Sequence, residues 1–241
     1  MKRHALLIGN TFGLSGVKID ISKFSRFLRS DIGGAWDNDE IEVMQNTTKY
    51  DLERKLVMIN MLRYDYSIVM FSGHGGYQRA TLLELNNKGE TIEDSALKGL
   101  SKRQLSIFDC CRGIIHEDIK KADTLVVFGE SVGIEKRQRI RDRYDERIMD
   151  AAEQQISLYS CSIGQVSYDT NEGAVYLSNF LSAASQIEGN EKLLGAAHQD
   201  AIPPTIEYSR KQKNGLQNPD AAIPKHMMAQ QLIISLNTKG I

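Results

Sequence analysis

QLSIFDCCRG, residues 104–113, places Leu105, Ile107 and Phe108 in a short apolar run that stops at an acid, two thiols, an arginine and a glycine. The run has the composition of a buried strand, and its polar end reads as the point where that strand delivers a cysteine to a surface. YSIVMFSGHGG, residues 66–76, has the same design and ends in His74 held among glycines. Strands of a parallel sheet finish on a common edge, so the pattern predicts that the Cys111 thiol and the His74 imidazole meet there. Taken alone, a buried cysteine is an inert small hydrophobe. With a histidine on the same edge it becomes a nucleophile with a base beside it. Tight glycine turns also make the backbone N–H groups of Gly75 and Cys111 candidates for holding an oxyanion.

Outward from this pair, the chain alternates strand and helix patterns. His4–Gly9 is an apolar run ending at a glycine-bearing loop, and Ile21, Phe24, Phe27 and Leu28 fall at helical spacing over about 20–30. Ile41–Met44 reads as a strand, and Thr48 with Asp51 forms a capping box for a helix carrying Leu52, Leu56, Ile59 and Leu62. Residues 77–85 read as a small surface hairpin and 93–100 as a short helix. Ile156–Tyr159 and the segment 174–187 read as a fifth strand and its helix, 203 onward as polar and irregular, and QLIISL, 231–236, as a last strand. The expected fold is α/β, a doubly wound and mostly parallel sheet of about six strands flanked by helices, with ligands at its carboxyl edge.

All 241 residues fit one domain, 1–241, with a charged linker or insertion at about 114–150. In that stretch IEKRQRIRDRYDER, 134–147, holds six basic and four acidic residues and reads as a solvated helix or mobile linker. A formal net charge of -1 leaves no global basic field for nucleic acid or an anionic membrane. Trp36 has no aromatic neighbours in sequence on which bases could stack. Three cysteines with no CxxC spacing argue against a disulfide scaffold or zinc site and for a reducing cytoplasm. The apolar start ALLIGN is too short for a signal core or a membrane span. His4, His116, His198 and His226 lack partners at metal-ligand spacing, and Asp37-Asn38-Asp39 reads as a polar turn rather than a calcium loop. No cofactor is required by the sequence, and calcium dependence stays open.

FSGHGG followed by FDCCRG resembles the histidine and cysteine motifs of the caspase-like cysteine peptidases, the group of caspases and metacaspases. The resemblance extends to ALLIGN, GVKID, SCSIGQVSYD, GAVYLSNFL and QNPD, and so spans most of the chain. It implies a caspase-like fold and a cysteine endopeptidase with a Cys111–His74 dyad, Cys110 taking the small-residue position before the nucleophile. It also implies a specificity pocket of reversed charge. The glutamine and arginine positions with which caspases select aspartate correspond to Asp109 and Asp169, a further arginine position falls at about Leu14, and Asp20 matches an acid of the metacaspase pocket. Such a pocket selects Lys or Arg before the scissile bond.

Other readings stay open beside these: Asp20 as an amino-terminal helix cap, and Asp109 as a strand-end turn residue. Arg137, Arg139, Arg141 and Arg143 are candidate self-cleavage positions in the linker. Expected partners are a protein or peptide substrate and a regulatory protein or signal. The alternative function is a catalytically inactive scaffold that binds a peptide or signalling ligand at the same sheet edge.

Overall fold

The computed structural model describes residues 1–114, 134–212 and 214–240. Its centre is a six-stranded sheet built from β1 (Arg3–Gly9), β2 (Ile41–Gln45), β3 (Tyr64–Ser72), β4 (Ser101–Asp109), β5 (Gln154–Tyr159) and β6 (Asp220–Ala222). Their order is β6-β5-β4-β3-β1-β2, with β6 antiparallel to β5 and every other pairing parallel. The apolar runs are continuous because both faces of the inner strands are covered. Leu6, Ile8, Val69 and Phe71 share one core with Leu52, Leu56 and Ile59 of helix α2 (Lys49–Leu62). Ala5, Leu7, Ile68 and Met70 share the other with α1 (Gly16–Arg29), α3 (Ile134–Asp150), α4 (Val175–Ser185) and α5 (Leu194–Arg210). Among the described residues no helix is long and apolar enough to cross a membrane.

Several expectations need correction. Within 114–150, residues 115–133, including His116, lie outside the described residues, but 134–150 is helix α3 and it is packed. Ile140, Tyr144 and Ile148 recur every four residues and are each fully buried, so one apolar side chain per turn docks a helix that is otherwise charged. Its arginines are also engaged. Arg137 donates to the Trp36 carbonyl and pairs with Asp37, while Arg141 pairs with Glu40 and Asp37. Those contacts leave the polar-turn reading of 37–39 in place. The four candidate self-cleavage arginines therefore lie on a folded helix rather than in a linker, with Arg139 and Arg143 facing solvent.

Helix α5 runs through Pro203 and Pro204, where an irregular segment was expected. After Leu194 its buried side is made of Ala197, His198, Ala201, Thr205 and Ser209, too small or polar to register as an apolar stripe, and the two prolines sit on the exposed side. QLIISL does hold the last strand of the chain, Ile233–Leu236, but the sixth strand of the main sheet is Asp220–Ala222. Ile233–Leu236 instead pairs antiparallel with Glu191–Leu193 in a separate two-stranded sheet, all four of its residues buried. The hairpin at 77–85 is part of a three-stranded sheet of Gly75–Tyr77, Thr81–Glu84 and Thr91–Glu93, whose Leu83 and neighbouring Leu85 are fully buried, and 94–97 forms a single 3-10 turn.

Candidate active site

The chain doubles back across the sheet between β1 and β3, and the carboxyl ends of β1, β3 and β4 open there onto one pocket. Ser72 and Asp109, the last residues of β3 and β4, are partners in register. Two residues beyond them come His74 and Cys111, and both line the pocket with Leu14, Val17, Ser167, Tyr168 and Asp169. Gly75 sits where a Cβ would come within 2.8 Å of both the Cys110 sulfur and the Leu82 carbonyl, so only glycine lets the turn after His74 approach the cysteine strand. Cys110 is buried and packs with Phe108 and Phe71.

His74 is oriented from the loop after β1. Its Nε2 lies 2.8 Å from the carbonyl of Phe12. A carbonyl only accepts, so Nε2 carries the proton and Nδ1 is the basic nitrogen of the neutral ring. The Cys111 sulfur accepts the backbone N–H of Ser167 at 3.3 Å and lies 3.6 Å from that residue's carbonyl. Burial raises the Cys111 thiol above its ordinary value, the Ser167 N–H opposes this, and the negative charge of Asp109 adds to it. The thiol is consequently protonated at neutral pH and needs a base to become a nucleophile. Burial pushes the neighbouring Cys161 thiol up to about 12, and Cys110 is likewise raised, which leaves both inert.

Three carboxyl groups converge behind and beside this pair. Asp109 accepts the Ser167 hydroxyl at 2.6 Å and the Leu177 N–H of the α4 amino terminus at 3.1 Å. Asp20, fully buried in α1, accepts the Ser72 hydroxyl at 2.6 Å and the Ala174 N–H at 2.8 Å, so it is not an amino-terminal cap of its own helix. Asp169 accepts the Gly16 N–H of the α1 amino terminus at 3.0 Å. Two helix amino termini thus direct N–H groups at the cluster. Even so, burial raises all three carboxyls: Asp109 to about 6, and Asp20 well above its ordinary value with the Asp109 charge as a further cause. Asp109 and Asp169 line the pocket; Asp20 stands behind Ser72 and Ala174, which do. Among the described residues no lysine or arginine lines the pocket, and Leu14 occupies one wall. Among the described residues no group of His, Cys, Asp and Glu side chains converges as a metal site.

Three contributors were not legible in the sequence: the Phe12 carbonyl, Ser167 and Gln217. The first acts through its backbone and the second through its backbone N–H as well as its hydroxyl, and no side-chain pattern records a backbone contact. Gln217 lies in QNPD, a stretch noted for resemblance without a role, and reaches Ser167 from 50 residues away.

The sequence matches the family model of the caspase domain, peptidase C14, over residues 2–219. The structure is similar to that of caspase-1 from Spodoptera frugiperda, with a TM-score of 0.59 and 12% identity, over 92% of this chain and 86% of that one. At that identity the likeness is one of fold. No curated protein matches the sequence.

Proposed function

We propose a cysteine endopeptidase activity with a preference for Arg or Lys before the scissile bond for this chain, which belongs to the caspase-domain family. The observation that carries the proposal is that His74, its Nε2 proton engaged by Phe12, and Cys111 line one pocket whose ionisable wall is carboxylate. His74 takes the thiol proton through Nδ1 as Cys111 attacks the peptide carbonyl. The N–H groups of Gly75 and Cys111 hold the oxyanion of the tetrahedral intermediate, and His74 then returns the proton to the leaving amine. Water releases the acyl group by the same steps in reverse order. Asp109 and Asp169 face the cationic side chain, and Asp20 stands behind them, holding Ser72 and Ala174 of the pocket wall. Three free cysteines, one of them needed as a thiol, fit a reducing compartment such as the cytoplasm.

The test is digestion of a pooled peptide library by the purified protein and by Cys111→Ala, with calcium added or chelated. Cuts after Arg or Lys that vanish in the variant are expected. Cuts after other residues refute the acidic pocket. Absence of cleavage with Cys111 still labelled by an electrophilic probe points to a latent enzyme, and absence of both cleavage and labelling favours the scaffold reading.

A further inference from the structure

We propose that Gln217 is the positioning residue that ties the nucleophile to the specificity pocket, through a single amide that fixes Ser167 against both Cys111 and Asp109. The inference rests on the reading of Cys111 as nucleophile and Asp109 as pocket wall. Gln217 is fully buried in the irregular segment between α5 and β6. Its Oε1 accepts the Tyr168 N–H at 3.2 Å, and its Nε2 donates to the Ser160 carbonyl and to the Ser167 hydroxyl, both at 3.1 Å. The orientation of the amide is unambiguous, because the Tyr168 N–H can only donate and the Ser160 carbonyl can only accept.

That orientation has two consequences at Ser167. The hydroxyl oxygen already receives a proton from Gln217, so its own proton is left for Asp109, to which it is bonded at 2.6 Å. A hydroxyl that donates to a carboxylate favours the ionised form, the form a basic substrate side chain requires. The backbone N–H of the same residue points at the Cys111 sulfur and favours the thiolate. One buried side chain therefore supports the negative form of both groups without touching either.

The rest of the loop is anchored separately. Arg112 N–H donates to the Gln165 carbonyl, Gly164 N–H to the Arg112 carbonyl, and Asn218 N–H to the Gln165 side chain. Removing the Gln217 amide accordingly loosens Ser167 without releasing the loop. Among the described residues, the titratable groups facing Cys111 and Asp109 from surrounding elements are His74, Asp20, Asp169, Tyr168, Tyr176, Cys110 and Cys161. Gln217 bonds to one of these, Tyr168, and only at its backbone N–H, so the influence of the others is common to the wild type and the variants.

The test compares Gln217→Met, similar in size without the amide, and Ser167→Ala with the wild type. Alkylation of Cys111 by iodoacetamide across pH, quantified by mass spectrometry, reads the thiol directly and needs no peptidase activity. The acid limb of kcat/KM on an arginyl peptide reads Asp109. Loss of one hydrogen bond to an ionised group shifts a midpoint by about one pH unit, a tenfold change in alkylation rate below it. Gln217→Met is expected to move both midpoints upward, and Ser167→Ala only the acid limb, since it keeps its N–H. A folded Gln217→Met protein whose thiol midpoint stays or falls overturns the proposal. Should Gln217→Met fail to fold, an unmoved acid limb in Ser167→Ala overturns it instead. If the wild type does not cleave, the peptidase reading fails by itself and the alkylation midpoints still decide the inference.

Discussion

Replacing Asp109 with asparagine should make the protein more stable at neutral pH. A carboxyl whose folded pKa stands above its unfolded value binds its proton more tightly in the folded state. Its support for folding is therefore complete below pH 4 and is lost as pH rises to 6. A rise from 3.8 to about 6 corresponds to about 3 kcal/mol of stability forgone at pH 8. Asparagine never ionises and escapes this penalty. It meets the Ser167 hydroxyl and the Leu177 N–H with one oxygen and one amino group instead of two oxygens, a mismatch that costs about 1 kcal/mol. Urea denaturation of both proteins in a Cys111→Ala background, which prevents self-digestion, should show the variant about 1 kcal/mol weaker at pH 4 and about 2 kcal/mol stronger at pH 8. Relief of the Asp20–Asp109 repulsion acts in the same direction. A stability difference that does not change between pH 4 and 8, or a variant weaker at pH 8, would show that Asp109 is not held in the fold as a strained carboxylate.

Two further outcomes test the packing that surrounds the site. Ile148→Ala removes a fully buried side chain of α3 and should lower stability by about 2–5 kcal/mol in thermal or urea unfolding; intact-mass analysis should find no cuts at Arg137, Arg139, Arg141 or Arg143 while the helix is folded, because a peptidase groove takes extended backbone. A loss under 1 kcal/mol would return α3 to a loosely attached linker. Gly16→Ala would place a methyl group 1.8 Å from an Asp169 oxygen, so it should displace that carboxylate and lower kcat/KM on arginyl peptides at least about tenfold, chiefly through KM; an unchanged KM removes Asp169 from the pocket.

Elements with large apolar periodicity could be read from sequence, and elements held by something else could not. The runs ending at Gly9, Ser72 and Asp109 carry their own evidence for buried strands, and because their ends share an edge, His74 and Cys111 could be paired before any coordinates. Helix α3 is legible as a helix but not as a packed one, because its three apolar contacts are diluted by arginines that pair with Asp37, Glu40 and Glu191, which are remote in sequence. Helix α5 buries small and polar side chains, and β6 has only three residues, two of them exposed, so neither presents a period to detect. At the site, the carboxylates were visible as charges, but not the helix amino termini and hydroxyls that make their burial tolerable.

The same long-range wiring sets a clock on biosynthesis. Cys111 comes two residues after β4, yet Arg112 next to it is seated by Asp220, 108 residues later, and Ser167 by Gln217, 50 residues after that serine. At about 5–20 residues per second, a growing chain carries the thiol for on the order of 5–20 s before the segment that finishes its surroundings has been made. During that interval the nascent chain carries the Cys111 thiol without the completed pocket that Ser167, Gln217 and Asp220 supply.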